Sequence, residues 1–271
     1  MKTLSNHIIL FDNECPMCAL YTKGFVKAGM LSTQGREAYQ NIPARICSMV
    51  DRQRAANEIA LVNTETGEVT YGIKSLFAII QHAVPVLKPL FSFSPFVWLM
   101  SKIYAFVSYN RKVIIPVTMK PKTIQPSFKL PYRLLYLLVT WIITAFNLTA
   151  YAHQLTPLVP LGGAYREYFI CGGQIIFQAL VISLYQKDKI WDYLGNMMTI
   201  SFAGALLLLP AILMSHFFTF NAVFYLLYFL SVAGLMLLEH LRRSKILALG
   251  WIMSVTWVIY RFIVLGLIFS L

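Results

Sequence analysis

The sequence predicts a small α/β domain followed by an all-α transmembrane helical bundle of about five spans. Three observations lead there. Only 13% of the 271 residues are charged and 58% are hydrophobic, where a typical soluble domain carries about 25% charged residues. The deficit is uneven: residues 1–130 mix polar and apolar positions, whereas 133–271 form long apolar runs with sparse charges. The first part also opens on an apolar run, Ile8–Phe11, that leads into a Cys-x-x-Cys pair, Cys15 and Cys18. The expected organisation is a domain over 1–112, a basic Pro/Lys-rich linker over 113–132 and a membrane domain over 133–271.

Ile8–Phe11 has the length and composition of a buried strand. Pro16 suits the first position of a helix, which makes Cys15 the N-cap and "PMCALYTKGFVKAG" the helix. Met17, Leu20, Tyr21 and Phe25 recur at helical spacing, and Gly29 fits the C-terminal cap. Further on, "EIALVN" and "EVTYG" flank "TETG", a hairpin pattern, and "IKSLFAIIQHAV" reads as a helix. The apolar stretch "LFSFSPFVWLMSKIYAFV" (90–107) is bracketed by Lys88 and Lys102 and interrupted by Pro95. It is therefore predicted to be an amphipathic helix that closes the domain against the membrane surface rather than a span. Strand, Cys-x-x-Cys at a helix start, hairpin and helix is the order of a thioredoxin-like domain.

That placement has chemical consequences. A thiolate at a helix N-terminus faces unpaired N–H groups and the positive end of the helix dipole, which lowers its pKa. Cys15 is expected to be the exposed attacking thiol and Cys18 the resolving thiol. Asp12 and Glu14 oppose a thiolate, and Asp12 is read as a proton acceptor for Cys18. A zinc site needs four ligands. Only Cys47 and His7 lie near in sequence, and His7 starts the strand whose other end delivers Cys15, roughly 20 Å away at strand rise. Two inert buried thiols are the remaining alternative, against which the helix-start position argues. No metal and no cofactor is expected. Cys47 reads as a small buried hydrophobe.

"ILFDNECPMC" is similar to the signature of the DCC family of thiol–disulfide oxidoreductases, whose motif is Asp-x-x-Cys-x-x-Cys; Asp12, Cys15 and Cys18 match it. "VTYGIKSLFAII" (69–80) resembles the family's Gly-containing turn before a helix, and "YAFVSYNRK" (104–112) its closing helix with Asn110–Arg111. The resemblance covers about the first 112 residues. It implies a thioredoxin-like fold and disulfide exchange with a protein or small-molecule thiol/disulfide substrate, with Cys15, Cys18 and Asp12 as the site. The thioredoxin superfamily usually carries a cis-proline before the hairpin that helps bind substrate, and "RQRAANEIALV" has no proline. A non-catalytic membrane adaptor with the same fold is the alternative.

Five apolar stretches can each cross about 30 Å of hydrocarbon: Arg133–Ala152, Tyr168–Tyr185, Tyr193–Ser215, Phe217–Leu238 and Ile246–Leu271. Lys and Arg gather before the first (Arg111 to Arg133), in "QKDKIWD" and in "EHLRRSK"; the alternate loops hold only Arg166, beside Glu167. By the positive-inside rule the N-terminal domain is cytosolic and the C-terminus outside, in a multi-pass plasma membrane of the bacterial inner type. The start "MKTLSNHIILFDNE" has no cleavable signal pattern, in keeping with that orientation. The net charge of +12 follows the membrane flanks. No basic stripe interleaved with aromatics suggests nucleic acid. The expected partners are the lipid bilayer and a membrane protein. Cys171, followed by Gly172–Gly173, marks close helix packing. His153, His216 and Cys171 fall near the outer surface, and Arg261 stands deep in the last span, where a charge is costly.

Overall fold

The computed structural model describes residues 2–42, 48–117, 124–156 and 158–270. Cys47 lies outside them. The chain divides into two compact units, Met1–Tyr132 and Arg133–Leu271.

The first unit is built on a mixed four-stranded sheet in the order β2-β1-β3-β4. Strand β1 (His7–Phe11) pairs parallel with β2 (Arg36–Ala38) and antiparallel with β3 (Ala60–Asn63), which pairs antiparallel with β4 (Val69–Tyr71). Helix α1 (Pro16–Lys27) joins β1 to β2, the short α2 (Arg52–Asn57) precedes β3, and α3 (Ile73–Ala83) follows β4. Strand β1 is a continuous apolar run because both faces of the sheet are covered. Ile9, Phe11 and Leu61 pack with Cys15, Cys18 and Ile79 on one face. Ile8, Leu10, Ala60 and Val62 pack with Tyr39, Ala55 and Ala56 on the other.

Local signals explain the boundaries. Helix α1 ends in a Schellman motif, with Met30 N–H on Phe25 O (2.9 Å), Gly29 N–H on Val26 O (3.0 Å) and Gly29 at φ +69°. In the hairpin, Asn63 N–H meets Glu68 O at 2.9 Å, and the Asn63 side chain accepts from the amides of Glu65 and Thr66. Gly72 opens α3 at φ +67°, where a Cβ would stand 2.8 Å from Glu58 Oε2. Strand β2 and helix α2 were not foreseen. "REA" offers three polar-to-small residues with no alternation, and only pairing against β1 makes it a strand.

The segment expected to be one amphipathic helix is two. Helix α4 (Lys88–Ser92) and helix α5 (Ser94–Ile114) meet at Phe93 with a bend of 86°. Pro95 does not interrupt a helix; it sits in the first turn of α5, where its missing N–H costs nothing. The stretch expected as linker is engaged where it is described: Gln53 Nε2 donates to Gln125 O (3.1 Å), and Ser127 N–H donates to Asn57 Oδ1 (2.6 Å).

Five long helices run from the end of the first unit through the described residues of the second: α6 (Leu130–Ala152), α7 (Arg166–Gln186), α8 (Ile190–Met214), α9 (Ala222–Ile246) and α10 (Ile252–Ser270). Several are long and apolar enough to cross a membrane. Helices α7 and α8 form one helical stretch, Arg166–Met214, yet they count as two elements. Gln186 leaves the helical region (φ −150°, ψ 73°), and Tyr193 Oη donates to Gln178 Oε1 at 2.9 Å, which a straight helix forbids.

The fourth and fifth stretches shift from their expected bounds. Arg242, Arg243 and Lys245 are the last turns of α9, not a loop, because Arg243 is drawn back onto Glu239 (2.7 Å) and Asn196 Oδ1 (2.9 Å). One end of the unit thus collects the basic segments. Arg133 contacts Trp191 O and lies 3.6 Å from Asp192, and Lys189 Nζ reaches Leu247 O at 2.8 Å. The expected close packing at Gly172–Gly173 is present: a Cβ on Gly172 would stand 3.2 Å from Trp141, and one on Gly173 would overlap Tyr260 Oη.

Candidate active site

The site forms where β1 ends and α1 begins. Asp12 is the first residue past the strand, and its carbonyl accepts from Cys15 N–H (3.1 Å), which turns the chain into α1. Cys15 is the N-cap: its Sγ accepts from Cys18 N–H at 3.4 Å, and Pro16 opens the helix. Cys18 lies one turn in, and both thiols are free.

The exposure expected of Cys15 is not found. Both cysteines are 7% exposed and belong to the apolar cluster with Phe11, Ile59 and Ile79. What separates them is electrostatic. A hydrogen bond from the Cys18 thiol, joined by the Cys18 amide and the charge of Arg111, brings Cys15 down from 9.0 to about 7, against burial and the Asp12 charge. The same thiol–thiol hydrogen bond, together with burial and the neighbouring Cys15 charge, pushes Cys18 far up. The hydrogen-bonded pair thus favours the proton on Cys18 and negative charge on Cys15.

Below the thiols is a buried ion pair. Arg111, 5% exposed, places one guanidinium nitrogen 2.8 Å from Asp12 Oδ2. Asp12 Oδ1 accepts from Gln40 Nε2 (2.9 Å) and from the Glu14 amide (3.0 Å). Both oxygens are thus engaged, one by a cation and the other by two N–H donors. This geometry favours the role of counter-ion to Arg111 over that of proton acceptor for Cys18. Arg111 is held ionised: burial opposes its charge, but the Cys18, Asp12 and Cys15 charges outweigh burial and raise its pKa.

Helix α5 supplies this support as a polar stripe at i, i+4 and i+7. Tyr104 Oη accepts from Ile59 N–H (2.9 Å), Ser108 Oγ donates to Asn57 O (2.5 Å), and Arg111 donates to Ala56 O (2.5 Å) and Asn57 O (3.3 Å). Three side chains on one face thus fix residues 56–59, directly before β3, beside the dithiol. From the sequence, Asn110–Arg111 stands only in a resemblance and Arg111 in the basic flank of the first span; no place in the site falls to Tyr104, Ser108, Arg111 or Gln40. The available signal was that stripe, since polar residues at helical spacing in an apolar helix need buried partners.

Compared with known proteins, the chain matches no family model, no curated protein and no solved structure.

Proposed function

We propose that the chain is a membrane-anchored thiol–disulfide oxidoreductase of the DCC type, with a thioredoxin-like first unit carrying the dithiol Cys15/Cys18. One observation above all supports it: the N-cap thiol is brought to about 7 while its partner one turn in keeps the proton. Inert buried thiols need no such division. A βαβ half and a ββα half sharing one mixed sheet, with Cys-x-x-Cys at the first helix start, agrees with a thioredoxin-like domain. The segment before β3, where that superfamily usually carries its cis-proline, is here held by the α5 stripe.

In the reaction, Cys15 Sγ attacks one sulfur of a substrate disulfide and expels the other as a thiolate. Cys18 then loses its proton and attacks the Cys15 sulfur of the mixed disulfide. The Cys15–Cys18 disulfide forms and the second substrate thiolate leaves. Two electrons pass from the dithiol to the substrate, whose sulfurs take up the protons. Arg111 stabilises each thiolate in turn, and Asp12 keeps that guanidinium in place.

The clustering of Arg133, Lys189 and Arg243 at one end of the second unit supports an orientation with that end in the cytosol. A single cysteine at exposed Lys23 in an otherwise cysteine-free chain should react with an impermeant maleimide only after permeabilisation. The adaptor reading draws on the burial of Cys15. One experiment separates the two: a Cys18→Ser chain should accumulate adducts released by dithiothreitol, and Cys15→Ser should abolish them. Full cellular function of the double Cys15→Ser, Cys18→Ser chain would end the enzyme reading.

A further inference from the structure

The bundle contains a polar cluster on α7 and α10 in which three buried N–H donors lack partners. Its base is a directed chain of hydrogen bonds. Tyr193 Oη donates to Gln178 Oε1 (2.9 Å), so the contact of Tyr193 Oη with His240 Nε2 (3.1 Å) requires the ring to donate there. His240 Nδ1 is then an acceptor, filled by Ser254 Oγ at 2.9 Å. The ring is neutral and has nothing left to offer a cation.

Trp257 packs against that ring, with centroids 5.2 Å apart, and the Arg261 guanidinium lies 3.8 Å from a Trp257 ring centroid. Three buried nitrogens here have no hydrogen-bond partner: Trp257 Nε1, Arg261 Nε and Gln174 Nε2. All three are donors. Trp257 and Gln174 are only 2% and 6% exposed. Gln174 stands one turn from Gln178 on α7, and Arg261 one turn from Trp257 on α10. The two helices are joined by Gln178–Thr256 (3.4 Å) and by Tyr260 Oη on Ile170 O (2.8 Å). Arg261 lies within electrostatic reach of Cys171 on α7 and Tyr193 on α8. Among the described residues it forms an ion pair with no Asp or Glu. Arg261 sits at mid-length of an apolar helix, where an uncompensated cation costs several kcal/mol and marks a ligand or substrate path by default.

We propose that this cluster binds a carboxylate. A single guanidinium balances a monoanion, and its planar fork matches the two oxygens of a carboxylate. The indole and amide N–H groups can satisfy the remaining lone pairs. A neutral carbonyl would leave the charge unbalanced, and a phosphate dianion would overfill it. The acid arrives either from the bilayer, as a fatty acid, or from water, as a small organic acid. The inference is independent of the dithiol chemistry.

The test is equilibrium binding of radiolabelled palmitate and of radiolabelled acetate to the full chain in nanodiscs of zwitterionic lipid. Saturable binding of at least one is expected. Palmitate alone assigns a bilayer-borne acid, acetate alone a water-borne one, and both together a site that reads only the headgroup. Arg261→Met should weaken binding at least about tenfold, the scale of a lost charge-assisted hydrogen bond. Trp257→Phe keeps the ring and removes only the N–H, and should weaken it less; Arg261→Lys should fall between wild type and Arg261→Met. Failure of both acids to saturate the wild-type chain overturns the proposal. So does unchanged affinity in both Arg261→Met and Trp257→Phe.

Discussion

Arg111 in the first unit and the half-buried Arg261 in the second are treated in opposite ways. Arg111 is enclosed by a carboxylate at 2.8 Å, two backbone carbonyls and a serine hydroxyl. The Nε of each arginine has no partner, but Arg261 rests on the face of Trp257 and meets no carboxylate among the described residues. A charge whose partners all come from its own fold is a component of that fold, and here it also tunes two neighbouring thiols. A charge left without a counter-ion costs stability that the Trp257 ring face offsets only in part, and an anion from outside the chain would offset the rest. The comparison separates a site the protein completes by itself from one it leaves for a ligand.

The sharpest way to break that contrast is to remove each cation. Arg111→Met strands Asp12 in the interior and should destabilise the first unit by about 3–5 kcal/mol, read by hydrogen exchange at the β1 and β3 amides of the full chain. Asp12→Asn with Arg111→Met should cost less than the sum of the single changes. Arg261→Met should leave the second unit as stable as before, or more stable by up to about 3 kcal/mol, read by thermal unfolding in nanodiscs. A loss as large as that at Arg111 would reveal a protein partner for Arg261 and erase the distinction.

A milder version uses neutral groups. Tyr104→Phe orphans the Ile59 amide and should cost about 1–2 kcal/mol, whereas Gln174→Leu removes an amide with no partner and should cost nothing or stabilise.

The smallest effects are on titration. Cys15 alkylation should rise with pH around a midpoint near 7. Asp12 raises the Cys15 pKa, so Asp12→Asn should shift that midpoint lower. A thiol whose folded pKa is depressed from 9.0 to about 7 adds stability as pH climbs between those values, and the gain is lost as pH falls through 7. Above 9 the trend should reverse, because Cys18 ionises in the unfolded chain while its folded pKa is raised. A stability, read as exchange protection relative to the base-catalysed intrinsic rate, that stays flat from pH 7 to 9 would contradict the proposed proton distribution.

Much of this was written locally. The Cys15 N-cap, the Gly29 turn, the β3–β4 hairpin and the five apolar stretches depend on neighbours within a few residues, where spacing and backbone preference suffice. Strand β2 was illegible because its pattern is nearly neutral and only the edge of β1 recruits it. The bend at Phe93 was missed because Pro95 permits either an interruption or a new start, and only packing chooses.

The burial of Cys15 and the Asp12–Arg111 pair, 99 residues apart, needed the tertiary structure. Sequence by itself determined that a thiol caps a helix, that a carboxylate precedes it and that a cation stands in an apolar span. Whether each charge meets a partner is decided by distance in space. Over the few ångströms that matter in a low-dielectric interior, that distance sets the sign of the interaction's contribution.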